Sequence, residues 1–179
     1  MIEQHYLDDA LVQLRKLKTM ADKSLAQVTE AQVFAALDPE ANSLAVIMKH
    51  MAGNMRSRWT NFLTTDGEKP DRHRDSEFFQ EDQDSRANLF SQWEAAWALV
   101  LQTVGSLTPD DLQKTVTVRG EPHTVLEAIS RQTIHYAQHV GQIVFLAKHH
   151  AGPNWKTLSI ARGKSAAFEV SKTGEPYRP

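Results

Sequence analysis

The stretch Arg131-Gln-Thr-Ile-His135-Tyr-Ala-Gln-His139-Val-Gly-Gln142 sets two imidazoles four residues apart inside an apolar helical pattern, and it constrains the fold more than any other part of the chain. Residues four apart share one face of a helix. Positions 131, 135, 138, 139 and 142 then form a stripe of Arg, His, Gln, His and Gln, with Ile134, Val140, Ile143, Val144 and Leu146 as the apolar remainder. Such a helix needs apolar neighbours on one side and water or a metal ion on the other, which predicts a helical bundle with a polar interior. The same spacing also fits two exposed or hydrogen-bonded histidines, so a metal site needs a third ligand from elsewhere.

His50 is the candidate for that ligand. In Lys49-His-Met-Ala-Gly-Asn-Met-Arg-Ser-Arg58-Trp59, residues His50, Asn54 and Arg58 recur at four-residue steps and line one face. Val46, Ile47, Met51, Met55, Trp59 and Phe62 supply the apolar positions. Aligned polar residues on an otherwise core-forming helix point to an inward polar row, and three imidazoles from two helices suit a divalent metal.

Cysteine is absent, which excludes disulfides, a cysteine nucleophile and thiolate ligation, so any thiol chemistry must use an external thiol. A net charge of −2 gives no electrostatic reason to expect nucleic acid. No stretch approaches the roughly eighteen consecutive apolar residues of a membrane helix. The opening Met-Ile-Glu-Gln-His-Tyr-Leu-Asp-Asp carries acid where a secretory signal carries positive charge, so the expected compartment is the cytoplasm.

Taken in order, Leu7, Ala10, Leu11, Leu14, Leu17, Ala21 and Leu25 predict an amphipathic helix over 2–27, with His5 near its start as an exposed residue or, the lesser alternative, a ligand from a third helix. Asp38-Pro39 marks a turn, and Asn42 or Ser43 caps a second helix over 43–64. Asp66-Gly67-Glu68-Lys69-Pro70 ends that helix, and the Asp71-Arg-His-Arg-Asp75 run reads as a solvated connection, with an anion clamp by Arg72 or Arg74 as the lesser alternative. A third helix, aromatic-rich, is predicted over 84–107. Thr108-Pro109 opens a short turn, and Thr115-Val-Thr-Val-Arg119-Gly120 forms one arm of a small hairpin. The capping box Thr124-Val-Leu-Glu127 starts a fourth long helix that runs to about His150, with His149 and His150 at the surface and Gly152-Pro153 as the stop. The expected organisation is one helical domain over 1–152 and an extension over 153–179, docked through Trp155, Leu158 and Ile160 and disordered in its last ten residues. Gly163-Lys164-Ser165 lacks the first glycine and the preceding strand of a phosphate-binding loop, so nucleotide binding is not expected.

Four long helices, one histidine on the second and His-x-x-x-His on the fourth resemble the DinB-like (YfiT-like) superfamily of metal-binding four-helix bundles. More closely, the strings over 47–69 and 135–148, with Trp155-Lys-Thr-Leu-Ser-Ile160, look like a bacterial branch of that superfamily known only as a domain of unknown function. The resemblance implies an all-α four-helix bundle binding zinc or nickel through His50, His135 and His139, with open positions for water or substrate. It also implies frequent homodimers and, in some relatives, reactions that use low-molecular-weight thiols such as bacillithiol or mycothiol.

These features predict a metal-dependent enzyme, a thiol-dependent transferase or a hydrolase acting on a small molecule. Arg58 or Arg131 would hold a substrate carboxylate, and Asn54, Gln138 or Gln142 would orient the ligands. Neither polar stripe carries a carboxylate base, which favours thiol activation over hydrolysis. The alternative is a non-catalytic bundle stapled by metal, or a small-ligand binding module.

Overall fold

The computed structural model describes residues 2–81 and 84–164. The described residues are 65% helical, with five α-helices and one two-stranded antiparallel sheet among them. The helices are α1 (Ile2–Leu25), α2 (Glu30–Phe34), α3 (Leu44–Trp59), α4 (Arg86–Ser106) and α5 (Val125–Ala151), and the strands β1 (Thr115–Val118) and β2 (Glu121–Thr124) lie between α4 and α5. None of the helices is long and apolar enough to cross a membrane.

The helix starts follow local chemistry. Ser43 and Ser85 accept hydrogen bonds from the third backbone N–H of α3 and α4, and Thr124 and Glu127 form a reciprocal capping box on α5. Among the long helices, α3 packs on α4 and α5, and α1 packs on α5 and α4. Their shared core includes Leu14, Leu25, Met48, Met51, Met55, Trp93, Trp97, Val100, Val140 and Ile143. A shell of polar contacts ties it together: Trp93 donates its indole N–H to Asp22, and Tyr6 donates its hydroxyl to the Leu126 carbonyl.

Three local expectations change. The chain adds α2, held by its own capping box at Thr29 and Gln32. The helix expected to reach 64 stops at Trp59, because Asn61 adopts φ 49°, a left-handed conformation that asparagine tolerates better than most residues. His150 is half-buried rather than on the surface: Gln32 crosses to donate to its carbonyl at 2.7 Å, and its Nε2 is buried without a partner.

The connection after α3 is stitched to the hairpin. Arg119 and Gly120 both have positive φ, as a two-residue hairpin turn of the twist-compatible kind requires. The Asp66 carboxylate accepts both of their N–H groups, at 2.9 and 2.8 Å, and that of Glu68 at 2.6 Å. Gly67 donates to the Thr117 carbonyl at 2.7 Å, and the Ser57 hydroxyl donates to the Gly67 carbonyl. Residues 66–78 therefore fold back over α3, which carries Glu68, Arg72 and Glu77 toward His50. Beyond α5, Trp155 packs on the core and the Lys156 backbone exchanges hydrogen bonds with Gln27. The terminal ten residues expected to be disordered, and Ser165, lie outside the described residues.

Candidate metal centre

His50 sits on the buried side of α3, and His135 and His139 sit one turn apart on α5 where the two helices meet. One nitrogen from each ring lies within 4.8 Å of the others. The Nε2 atoms of His135 and His139 face each other at 3.1 Å. Two nitrogens each about 2.0–2.1 Å from one ion stand about 2.9–3.4 Å apart at angles of about 90–110°, so the pair already has the separation of shared ligands. The donor set is neutral and nitrogen-rich, as zinc and nickel favour.

Each ring is held by a different neighbour. His50 is 6% exposed and its Nδ1 meets Glu77 Oε2 at 2.9 Å, which leaves its Nε2 lone pair for a ligand. Glu77 is clamped in turn by Arg72, whose Nε and Nη2 donate to its two oxygens at 2.8 and 2.9 Å. Histidine, carboxylate and guanidinium thus form a buried relay that fixes the ring and its tautomer, an arrangement common behind metal-bound histidine. His139 Nδ1 is 2.7 Å from Gln142 Oε1, which likewise frees Nε2. His135 Nδ1 is buried without a partner.

Burial has opposite consequences for the two kinds of group. It pulls His135 down to about 4, helped by the neighbouring His139 and His50 rings and by Arg58 and Arg72. His139 is lowered as well, first by burial. Both imidazoles are therefore neutral at pH 7, so a cation does not compete with a proton there. Burial raises Glu77, but hydrogen bonds from His50 and Arg72 outweigh it and leave its carboxyl below the ordinary range, ionised and able to accept.

Glycine makes the relay possible. A Cβ on Gly53 would stand 2.2 Å from Glu77 Oε1 and 2.8 Å from its Cδ, so the carboxylate occupies the space left by the missing side chain one turn along from His50. Beside the histidines lies a cavity of about 200 Å³ lined by His50, His135, Asn54, Gln132 and five arginines. Arg58 donates to the Gly67 carbonyl and to Glu68 at 3.0 Å; Glu68 also receives Arg72 at 3.3 Å and Arg119 at 2.9 Å.

The expected polar row on α3 is present as a unit, with His50, Asn54 and Arg58 all buried and lining one cavity. Asn54 accepts from the buried Tyr136 hydroxyl at 3.3 Å, which itself accepts from the Trp59 indole. The guanidinium of Arg58 pairs with Glu68 in the connection after α3. On α5 the stripe divides. His135 and His139 are half-buried, whereas Arg131, Gln138 and Gln142 are exposed, and Ile134, expected among the apolar remainder, is 72% exposed. The helix is rotated so that the stripe follows the edge of the core. Arg131 contacts His123 at 3.3 Å and lines the arginine cavity; Gln138 and Gln142 line a separate hollow with Ile47 and Phe145.

The segment expected to be solvated is partly buried: Arg72 is 9% and Glu77 6% exposed, while His73 and Arg74 face solvent. Sequence reasoning missed Glu77, Gln132 and Arg119 as site residues. The one available signal was Gly53, since glycine inside a helix costs up to about 1 kcal/mol against alanine and usually has a packing reason.

Fold and site together define a mostly helical protein with three converging imidazoles beside a cationic cavity. The chain belongs to the family described as "Protein of unknown function (DUF1572)", whose model matches residues 1–164. No curated protein and no solved structure matches it.

Proposed function

We propose that the chain is a DinB-like four-helix bundle, α1, α3, α4 and α5 being its long helices, that works as a divalent-metal-dependent enzyme on a small molecule. The supporting observation is the gathering of three imidazole nitrogens within 4.8 Å of one another at the edge of a polar cavity. His50, His135 and His139 would hold zinc or nickel. Such an ion supplies a Lewis acid with open positions, lowering the pKa of a bound water or low-molecular-weight thiol. The protein's part is to keep both α5 imidazoles neutral, to hold His50 through Glu77 and Arg72, and to present the polar cavity beside them.

Glu77 does not shift the balance between thiol transfer and hydrolysis. The sequence stripes carry no carboxylate, but the fold brings this one to His50. Its two oxygens are engaged by Arg72 and His50, so it positions a ligand and is not free to take a proton. Thiol-dependent transfer therefore remains the preferred reaction class. A homodimer and a cytoplasmic location belong to the same reading.

The open-position requirement gives the test. Small thiols added to the cobalt-substituted protein are expected to shift its visible absorption bands, because a vacant or water-filled position admits sulfur. A spectrum that no thiol or anion changes would establish a closed, stapling site instead.

A further inference from the structure

The cavity beside the histidines is unusual in composition. Ligand pockets are mostly apolar and of about 300–1,000 Å³. This one is smaller, about 200 Å³, and its lining contains no aliphatic residue. Five guanidinium groups reach it, from Arg58, Arg72, Arg74, Arg119 and Arg131. Two carboxylates within the structure answer them, Glu68 and Glu77, so three positive charges are left over among these seven groups. The Arg74–Asp75 pair is 3.9 Å apart and Asp75 is 98% exposed, so it contributes little neutralisation.

The arginines divide by role. Arg58 and Arg72 have side chains 7% and 2% exposed and hold the loop and the Glu77 relay. Arg74, Arg119 and Arg131 stand at the exposed side: Arg74 lies over the Phe78 ring at 4.8 Å, Arg119 touches Glu68 through Nε, and Arg131 meets His123. The terminal nitrogens of Arg119 are thus spare donors, and the guanidinium fork suits carboxylate or phosphate oxygens. Gln132 gives an independent sign of a ligand. It is 6% exposed, lines the same cavity, and its amide oxygen has no partner. An amide oxygen accepts, so the ligand that satisfies it must bring a hydroxyl, as hydrogen phosphate does, beside the oxygens that the arginines take.

We infer that this cavity binds a small oxyanion of charge two, a dicarboxylate or a phosphate group, through Arg74, Arg119 and Arg131 beside the three histidines. The inference names a substrate class for the proposed metal centre and rests on that reading for its catalytic meaning, but the arginine cavity exists whether or not a metal is bound. Long-range attraction by the excess charge would also concentrate such anions at the histidines.

Calorimetric titration of the full chain with inorganic phosphate, succinate and acetate at fixed ionic strength tests it. Phosphate or succinate is expected to bind at least tenfold more tightly than acetate, and whichever wins distinguishes a compact dianion from a dicarboxylate. Arg131→Gln and Arg119→Asn should each weaken the winner about tenfold with metal content unchanged, whereas Arg56→Gln, which pairs with Asp71 outside the cavity, should leave it unchanged. As a check independent of folding, the winning anion should slow phenylglyoxal modification of Arg119 and Arg131 in the unaltered protein. Phosphate and succinate both binding no more tightly than acetate, or unprotected arginines, overturns the inference. Metal analysis of the same samples separates the two proposals: anion binding by a protein that holds no divalent ion as purified and takes up neither zinc nor nickel sinks the metal reading alone, and a bound ion without anion binding sinks this one alone.

Discussion

Glu77 carries more of the proposed site than its place in a charged connection suggests. Its carboxylate fixes His50, is fixed by Arg72, and fills the space over Gly53. Glu77→Gln should lower metal affinity about 10–100-fold, the usual cost of removing the partner behind a metal-bound histidine. A competition titration with a chelating dye reads it. Gly53→Ala sets two effects against each other. Alanine gains about 1 kcal/mol in helix propensity, but the new methyl displaces a carboxylate locked by three hydrogen bonds. The second effect wins, so the variant should lose metal affinity like Glu77→Gln; unchanged affinity would show that Glu77 can move without cost. Arg58→Ala leaves the Gly67 carbonyl without its guanidinium donor, and Glu68 keeps Arg72 and Arg119. It should cost about 1–3 kcal/mol of stability in a denaturant melt while metal content stays whole.

At the scale of elements, the turns that join the helices carry the acid sensitivity. Asp111 closes the turn before β1, its carboxyl held down to about 2 by the Lys114 side chain and by the N–H and hydroxyl of Thr108. Burial raises Asp66, but backbone N–H groups of Glu68, Gly120 and Arg119 outweigh it and hold it well below the usual carboxylate range. A carboxyl whose folded pKa is depressed stabilises the fold above its unfolded value and loses that contribution as pH falls toward the folded one. Stability should therefore decline from about pH 4 toward pH 2, and Asp111→Asn should flatten that decline in thermal melts; an unchanged slope would remove Asp111 from the account. The long helices were legible because their information is local: the Leu7 to Leu25 spacing, the Ser43 and Thr124 caps, and the three- and four-residue recurrence of apolar positions. The 66–78 connection was not, because its course depends on the distant Arg119–Gly120 turn captured by Asp66 and on the room over Gly53 that Glu77 fills, and no periodicity within the connection encodes either. The stripe on α5 was legible as a set of residues, but its rotation toward solvent at Arg131, Gln138 and Ile134 depends on how α1 and α3 share that helix.

For the whole molecule, the account holds that α3 and α5 are brought together around three imidazoles, so a bound ion links two elements far apart in sequence. Anything that binds the folded chain and not the unfolded one raises its stability by mass action. Zinc or nickel at about a hundred times its dissociation constant should add about 2.7 kcal/mol, read as a higher melting temperature that a chelator reverses. The measurement that reaches the central claim most directly is metal content by mass spectrometry of protein purified without a histidine tag, for the natural chain and for the His135→Ala/His139→Ala double variant. The account predicts about one divalent ion per natural chain and none in the variant, whose fold persists by circular dichroism; an ion retained in full by the double variant would contradict it.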